Sequence, residues 1–300
     1  MPDRSKAFIP ENLGAVARAA CRQVGLPDGD VQFLRLGQNI LYHVPEVRAV
    51  VRIARDSSYS ADAAKEVAVA TWLAEEDVPT VQLFDVDCAQ PICCHGYPVT
   101  FWRYLPGREP SGAEVSILGE ILRNFHRLTV PEGIPIPKLN PLDRVTDRIE
   151  RAPIPEPDKE FLAQTKEDLS VKLRELNYEL PVGVNHGDVH IKNVIISPEG
   201  MGTLIDFEAV NIAHREWDLA KTATEAAMGM LPADAYSRFS DSYGYDLTSW
   251  EGFPTICSTT QLRMVTWLAQ NVGHNEKVAN EYRKRMQTLR HGFTEAWSGF

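Results

Sequence analysis

The chain has 300 residues, of which 44% are hydrophobic, 24% charged and 9% aromatic, the make-up of a globular rather than a disordered protein. Its 31 basic and 41 acidic side chains leave a formal charge of −10, which excludes a nucleic-acid-coating role, because neutralising phosphates needs a surplus of Lys and Arg. No run approaches the roughly 18 apolar residues of a membrane span and the first residues carry no apolar signal stretch, so a cytoplasmic protein is expected.

Residues 12–25 place Leu13, Val16, Ala17, Ala20 and Val24 at helical spacing and end on Gly25-Leu26-Pro27, a stop signal. Strand-length runs follow at 31–36, 40–44 and 49–54, separated by Gly37-Gln38-Asn39 and Pro45-Glu46-Val47-Arg48. Residues 61–76 read as a helix, then 81–86 and 97–104 as strands, before Leu105-Pro106-Gly107 breaks the pattern. Beyond it, 111–128 carries Val115, Leu118, Leu122 and Phe125 on one helical face, 131–157 is a proline-rich surface connection, and 157–176 is a second long helix. Two short strands, 193–196 and 203–206, turn about Pro198-Glu199-Gly200, and helices dominate from Glu216 onward. The expected fold class is α+β, with a small antiparallel β lobe over 1–105 that holds one inserted helix and a larger, mainly helical lobe over 106–300.

Five cysteines form no framework spacing and read as reduced thiols. Cys88, Cys93, Cys94 and His95 invite a zinc site, but adjacent Cys93 and Cys94 do not both face one ion with ease, and small buried thiols are the preferred reading.

The chemistry is concentrated in His186-Gly187-Asp188-Val189-His190-Ile191-Lys192-Asn193 and, after a hairpin, Leu204-Ile205-Asp206-Phe207-Glu208. Phosphoryl transfer needs this set: a carboxylate to orient a hydroxyl and take its proton, and an amide oxygen with a second carboxylate to hold magnesium. The order Asp-x4-Asn, hairpin, Ile-Asp-Phe matches a kinase template. A Walker-type loop and a Gly-x-Ser-x-Gly elbow are both missing from the sequence.

These motifs resemble the aminoglycoside phosphotransferase family, small-molecule kinases with a bilobal protein-kinase-like fold. The resemblance implies Asp188 as catalytic base, Asn193 and Asp206 as magnesium ligands, and His186 and His190 as braces of the loop. Gly37 and Asn39 resemble the family's phosphate-covering turn. Arg52 stands where the phosphate-binding lysine is usual, and Glu66 where its ion-pair partner is found. An arginine still pairs with phosphate and carboxylate, but its planar fork alters the geometry. The backbone of Arg103 and Leu105 would meet the adenine edge. Trp102 reads as core, His126 as a brace behind the catalytic loop, and Asp218, in Glu216-Trp217-Asp218, as the aspartate that holds the loop through backbone N–H groups.

ATP, with GTP as an alternative, and Mg2+ are the implied cofactors. The partner expected is a small hydroxylated molecule, not nucleic acid or membrane; oligomeric state carries no signal in the sequence. Residues 1–108 hold 11 basic and 13 acidic side chains, so most of the negative charge falls in the remainder. That bias points to a cationic acceptor such as an aminoglycoside-like antibiotic, with Glu208 as substrate-binding candidate and Glu225, Asp241, Asp246 and Glu276 as further ones. Alternatives are another alcohol (choline, homoserine, a sugar, a macrolide or a peptide antibiotic), a catalytically weak nucleotide-binding module, and a metal hydrolase built on His186-x-Asp188-x-His190.

Overall fold

The computed structural model describes residues 8–76, 78–273 and 275–299. The chain resolves into two compact units. One runs up to Glu109 and takes in Pro131–Ile136 and Val194–Val210; the other holds Pro110–Val130, Pro137–Asn193 and the chain from Asn211 onward.

The first unit opens with helix α1 (Pro10–Gln23), whose proline in the first turn costs no hydrogen bond and whose Leu13, Val16, Ala17 and Ala20 are buried. Strands β1 (Gln32–Leu36), β2 (Ile40–Val44) and β3 (Ala49–Ile53) follow, then α2 (Ser60–Leu73), β4 (Ile92–Cys94) and β5 (Tyr97–Arg103). They form an antiparallel sheet in the order β1-β2-β3-β5-β4. Alternation on β2 and β3 sends Ile40, Tyr42, Val44, Ala49, Val51 and Ile53 into a core with α1, so Arg52 must point from the opposite face.

Two expectations change here. Residues 81–86 are not a continuous strand: Phe84 N–H bonds the Phe101 carbonyl at 2.9 Å, while Val81 N–H bonds Leu204 O at 2.9 Å, so one short segment serves two partners. The edge strand is instead β4, too short for a periodicity signal. Its Cys93 is exposed and Cys94 buried, on opposite faces of the strand, which removes the basis for a shared zinc ion.

Strands β7 (Val194–Ile196) and β8 (Gly202–Leu204) answer to the two short strands expected at 193–196 and 203–206, whereas β6 (Val182–Asn185), which precedes them, was not expected. The β7–β8 hairpin belongs to the first unit, stitched on by Leu204 N–H to Pro79 O at 2.8 Å and by paired bonds between Arg108 and Ile196 at 2.9 and 3.0 Å. Gly107 is required there, since a Cβ would lie 2.3 Å from Ile196 O. The division by compactness is therefore not the linear one at 105/106: Asp206 and Glu208 go with the small unit.

The second unit contains α3 (Val115–Phe125), α4 (Val145–Arg151) and α5 (Glu156–Arg174), then β6 paired antiparallel with β9 (Asn211–His214). The helices α6 (Glu216–Ala227), α7 (Ala235–Tyr243), α8 (Phe253–Ala269) and α9 (Glu276–His291) complete it. The proline-rich stretch expected as a connection holds α4, whose Val145 and Ile149 are buried. That helix has only two apolar anchors, too few to stand out from its surroundings. Helices α4, α5, α8 and α9 share one core built on Leu162, Leu169, Leu262, Val265, Leu268 and Tyr282. Among the described residues, no helix is long and apolar enough to cross a membrane.

Candidate active site

In the small unit, Arg52 lies opposite Leu41 on β2 and Thr100 on β5. Its guanidinium pairs with Glu66 on α2, with Glu208 Oε2 at 3.1 Å and with Asp206 Oδ1 at 3.4 Å. Glu208 also accepts from Asn39 Nδ2 at 3.1 Å and from Gln38, both in the turn between β1 and β2, where Gly37 N–H bonds Asn39 O at 2.9 Å. Lys65, absent from the sequence expectations, donates to the Glu208 carbonyl at 2.6 Å. The signal for it was its place beside Glu66 on one helix.

One cation thus serves three carboxylates around a small cleft lined by Asn39, Arg52, Glu66, Thr100 and Glu208. Burial works against the Arg52 charge, but Glu66, Asp206 and Glu208 outweigh it and raise its pKa. Burial, helped by the charges of Asp206 and Glu208, pushes Glu66 up to about 7 against the pull of Arg52. Burial also raises Glu208. Asp206 stands at φ +70°, a left-handed conformation uncommon outside glycine and often found at functional sites, and its side chain remains 44% exposed. Trp102 is buried with its indole N–H on Thr100 Oγ1 at 2.8 Å, a core role. The Arg103 N–H is occupied by Gln82 O at 2.9 Å, which leaves its carbonyl, not its N–H, for any ligand edge shared with Leu105.

In the large unit, pairing of β6 with β9 brings the start of α6 beside the residues after β6. Asp218 Oδ2 accepts the His186 N–H at 2.6 Å and Oδ1 the Gly187 N–H at 2.8 Å, with His126 Nε2 at 3.0 Å from Oδ2. His126 Nδ1 in turn meets the Tyr243 hydroxyl at 2.7 Å. With an ionised Asp218 this fixes the tautomer: Nε2 donates to the carboxylate and Nδ1 accepts from the phenol. Glu216, fully buried, accepts the N–H groups of Glu179 and Leu180, each at 2.7 Å. Tyr243 was not foreseen, since a tyrosine more than a hundred residues from His126 gives no sequence signal.

Asp188 follows this clamp with its side chain 55% exposed and 3.9 Å from His190 Nε2. Burial of its surroundings opposes ionisation, but His190, Lys221, His186 and Arg263 hold its pKa below the ordinary value. His190 is pushed down to about 4, by burial first. Its Nδ1 accepts the Lys192 N–H at 3.2 Å, so the neutral ring presents Nε2–H toward Asp188. Asn193 Nδ2 donates to the Asp188 carbonyl at 2.9 Å, which leaves the amide oxygen as its end for a cation. An amide oxygen is a hard donor of the kind that suits magnesium, as are the carboxylate oxygens of Asp206 in the other unit. The His-x-Asp-x-His alternative loses its ligands: His190 is committed to Lys192, and the fully buried His186 ring packs near Phe125, centroids 6.4 Å apart.

Of the carboxylates expected to hold a cationic acceptor, Glu208, Glu225 and Asp246 have partners of their own. Glu208 sits in the small unit on Arg52 and Asn39, Glu225 is 3.6 Å from Lys221, Asp246 caps a turn through Thr248 and accepts from Tyr236, and Glu276 lies in the first turn of α9. Asp241 remains on α7.

A sequence model of the phosphotransferase enzyme family matches residues 36–253. No curated protein matches by sequence search. Among solved structures, a microcompartment-associated aminopropanol kinase is similar with a TM-score of 0.72 and 16% identity, over 93% of this chain and 99% of that one. An amicoumacin kinase in complex with AMP-PNP, Ca2+ and Ami gives 0.75 and 14%, over 94% and 96%. A choline/ethanolamine kinase family protein from Mesorhizobium loti gives 0.64 and 16%, over 94% of each. At these identities the likeness is one of fold, and it is the kinase-like α+β fold.

Proposed function

The chain belongs to the phosphotransferase enzyme family, and from that premise we propose that it transfers the γ-phosphoryl group of ATP to a hydroxyl group of a small molecule. The observation that carries this reading is the contrast at the loop after β6. Asp218, His126 and Tyr243 are buried and spent on holding it, while the Asp188 carboxylate is over half exposed and ionised at neutral pH.

In the proposed step the bond from Pγ to the bridging oxygen breaks and its electron pair leaves with ADP. A new P–O bond forms to the acceptor oxygen, and the hydroxyl proton passes to Asp188. A base of low pKa suffices, because phosphoryl transfer passes through a loose transition state in which orienting the hydroxyl matters more than early deprotonation. Arg52, held by Glu66, is the cation for the phosphates. Asn193 and Asp206 would hold magnesium, which when bound supplies positive charge to the phosphate oxygens. The neutral His190 turns its Nε2–H toward Asp188, 3.9 Å away, which favours the ionised carboxylate.

Arg52 reaches Glu66 and lies by Asp206, the two partners the usual lysine would need, which counts for turnover and against a silent nucleotide-binding module. Purified protein incubated with MgATP and a panel of amino sugars, amino alcohols, sugars and hydroxy acids tests the reading. Transfer to at least one alcohol is expected, and an Asp188→Asn control should abolish it. If wild type and control transfer equally, the reading fails.

A further inference from the structure

The carboxylate of Glu208 holds the very groups that phosphates would need. Its Oε1 accepts from Gln38 Nε2, and its Oε2 accepts from Asn39 Nδ2 and from Arg52 Nη2, each at 3.1 Å. Gln38 and Asn39 belong to the turn between β1 and β2, so one side chain joins that turn to the strand that carries Arg52. The backbone behind it is pinned as well: Lys65 Nζ on α2 donates to the Glu208 carbonyl at 2.6 Å and to the Val210 carbonyl at 3.4 Å. Asp206, two residues earlier, is placed differently. Its side chain is 44% exposed and its contact with Arg52 is longer, 3.4 Å, whereas the Glu208 side chain is 19% exposed with both oxygens engaged.

Holding Arg52 in position does not require Glu208, because the buried Glu66 already pairs with the guanidinium. Glu208 and Asp206 add two further carboxylates to one cation, and Asp62 lines the same small cleft. Like charges this close repel one another, and the repulsion is relieved when one of them leaves. Carboxylates and phosphates are read by the same donors, a guanidinium fork and N–H groups aimed at two oxygens. With Glu208 in place, a phosphate reaching Arg52 meets donors already committed and a surplus of negative charge. With Glu208 turned away, the side-chain amides of Gln38 and Asn39 and the Arg52 Nη2 are released together, while Glu66 still holds the guanidinium.

We propose that Glu208 is an internal competitor for the nucleotide: its carboxylate must turn away from Arg52, Gln38 and Asn39 before the ATP phosphates take those donors, so Glu208 sets the affinity for MgATP. This inference rests on the phosphotransferase reading above, in that it gives Arg52 and the turn to the phosphates. The exchange is a side-chain movement, since Lys65 keeps the Glu208 backbone, and with it the segment after Asp206, where it stands. The apparent dissociation constant is the intrinsic one divided by the fraction of molecules with Glu208 turned away, so a contact favoured about tenfold weakens MgATP about tenfold.

Calorimetric titration of the full chain with MgATP and, separately, with adenosine, which carries no phosphate, tests this. Glu208→Ala removes the competitor, and Glu208→Gln keeps its shape without its charge. MgATP should bind about tenfold tighter to Glu208→Ala and about threefold tighter to Glu208→Gln than to wild type, while adenosine gains nothing. Gln38→Ala, at the exposed end of the contact, loosens it without altering Glu208 and should tighten MgATP about twofold. Melting temperatures identify a variant that has not folded, and the remaining ones then decide.

MgATP affinity that is unchanged or weaker in the folded Glu208 variants overturns the proposal, because Glu208 would then belong to the frame of the phosphate site. An equal gain for adenosine overturns it too, since the competition would not be with phosphates. The phosphotransferase reading fails separately, if MgATP binds and responds to these variants as expected while no alcohol is phosphorylated. If neither wild type nor any variant binds ATP in the presence of magnesium, both fall.

Discussion

Arg52 Nη2 lies 3.1 Å from Glu208 Oε2, and the same guanidinium also serves Glu66 and Asp206, one cation shared by three carboxylates. Removing it leaves the carboxylates facing one another in a site where Glu66 is nearly fully buried. Arg52→Met is expected to destabilise the protein by about 3 kcal/mol, the cost of uncompensated buried charge, and to lower kcat/KM about a hundredfold or more. Arg52→Lys should recover stability better than rate, since an ammonium restores the charge but not the fork. Urea denaturation and steady-state kinetics on both variants check this ordering.

Asp188 makes the opposite case. Its carboxylate is over half exposed and stands 3.9 Å from the neutral His190, so little stability depends on it. Asp188→Asn should leave the denaturation midpoint within about 0.5 kcal/mol of wild type while kcat falls about a hundredfold to ten-thousandfold. A large loss of stability would place the residue in the frame of the loop and not in its chemistry.

The residues of the candidate site were legible where chemistry forces a local pattern. Asp188, Asn193 and Asp206 stand at a spacing that a loop and a hairpin impose, and Arg52 and Glu66 fall on a strand and the next helix. What the sequence did not carry was contact over long separations. The bond from Tyr243 to His126 joins residues 117 apart, the stitching of Ile196 to Arg108 joins residues 88 apart, and neither has a local signature. Charge is a coarse guide for a related reason: a sum over residues 109–300 cannot distinguish Glu225, neutralised by Lys221, from a carboxylate facing a ligand. The short elements β4, β6, β9 and α4 were missed because three to seven residues give periodicity too few repeats.

Asp218 is the residue on which the loop after β6 depends. It is 1% exposed and accepts three bonds, from His186 N, Gly187 N and His126 Nε2. Asp218→Ala strands all three donors, and a loss of about 3 to 5 kcal/mol is expected. Asp218→Asn should cost nearly as much, because its amide nitrogen must face at least one donor. Amide hydrogen exchange at His186 and Gly187 should accelerate in both variants. Unchanged protection at those two amides would show that the loop is held by something else.

A separate carboxylate makes stability depend on pH. Glu281 is buried, with Arg285 Nε and Lys284 Nζ each at 2.8 Å and the Ser298 N–H at 2.7 Å. Burial alone would raise its pKa, but these partners outweigh burial and lower it. A carboxyl with a depressed folded pKa stabilises the protein at pH above its unfolded value, about 4.3, and that contribution disappears as pH falls through the folded value. The stability gap between wild type and Glu281→Gln should therefore be widest near neutrality, about 3 kcal/mol, and narrow as pH falls below about 4.3. Denaturation midpoints of both proteins across acid pH measure it.

Gly119 on α3 sets how closely α7 approaches. A Cβ there would lie 2.6 Å from Phe239 O, 3.1 Å from Ser242 Cβ and 3.2 Å from Tyr243 N, so backbone, not a flexible side chain, stands in the way. Alanine would favour the helix itself by about 1 kcal/mol, whereas forcing a packed interface apart costs about 1 to 3 kcal/mol. Gly119→Ala is thus expected to be net destabilising despite its better helix propensity. Because Tyr243 rides on α7 and bonds His126, which bonds Asp218, the displacement should also reach the loop of the proposed base and lower kcat more than it raises KM. If Gly119→Ala instead raised the melting temperature, the two helices would have to stand farther apart than this packing allows. The coupling from α7 to Asp218 would then lose its structural basis.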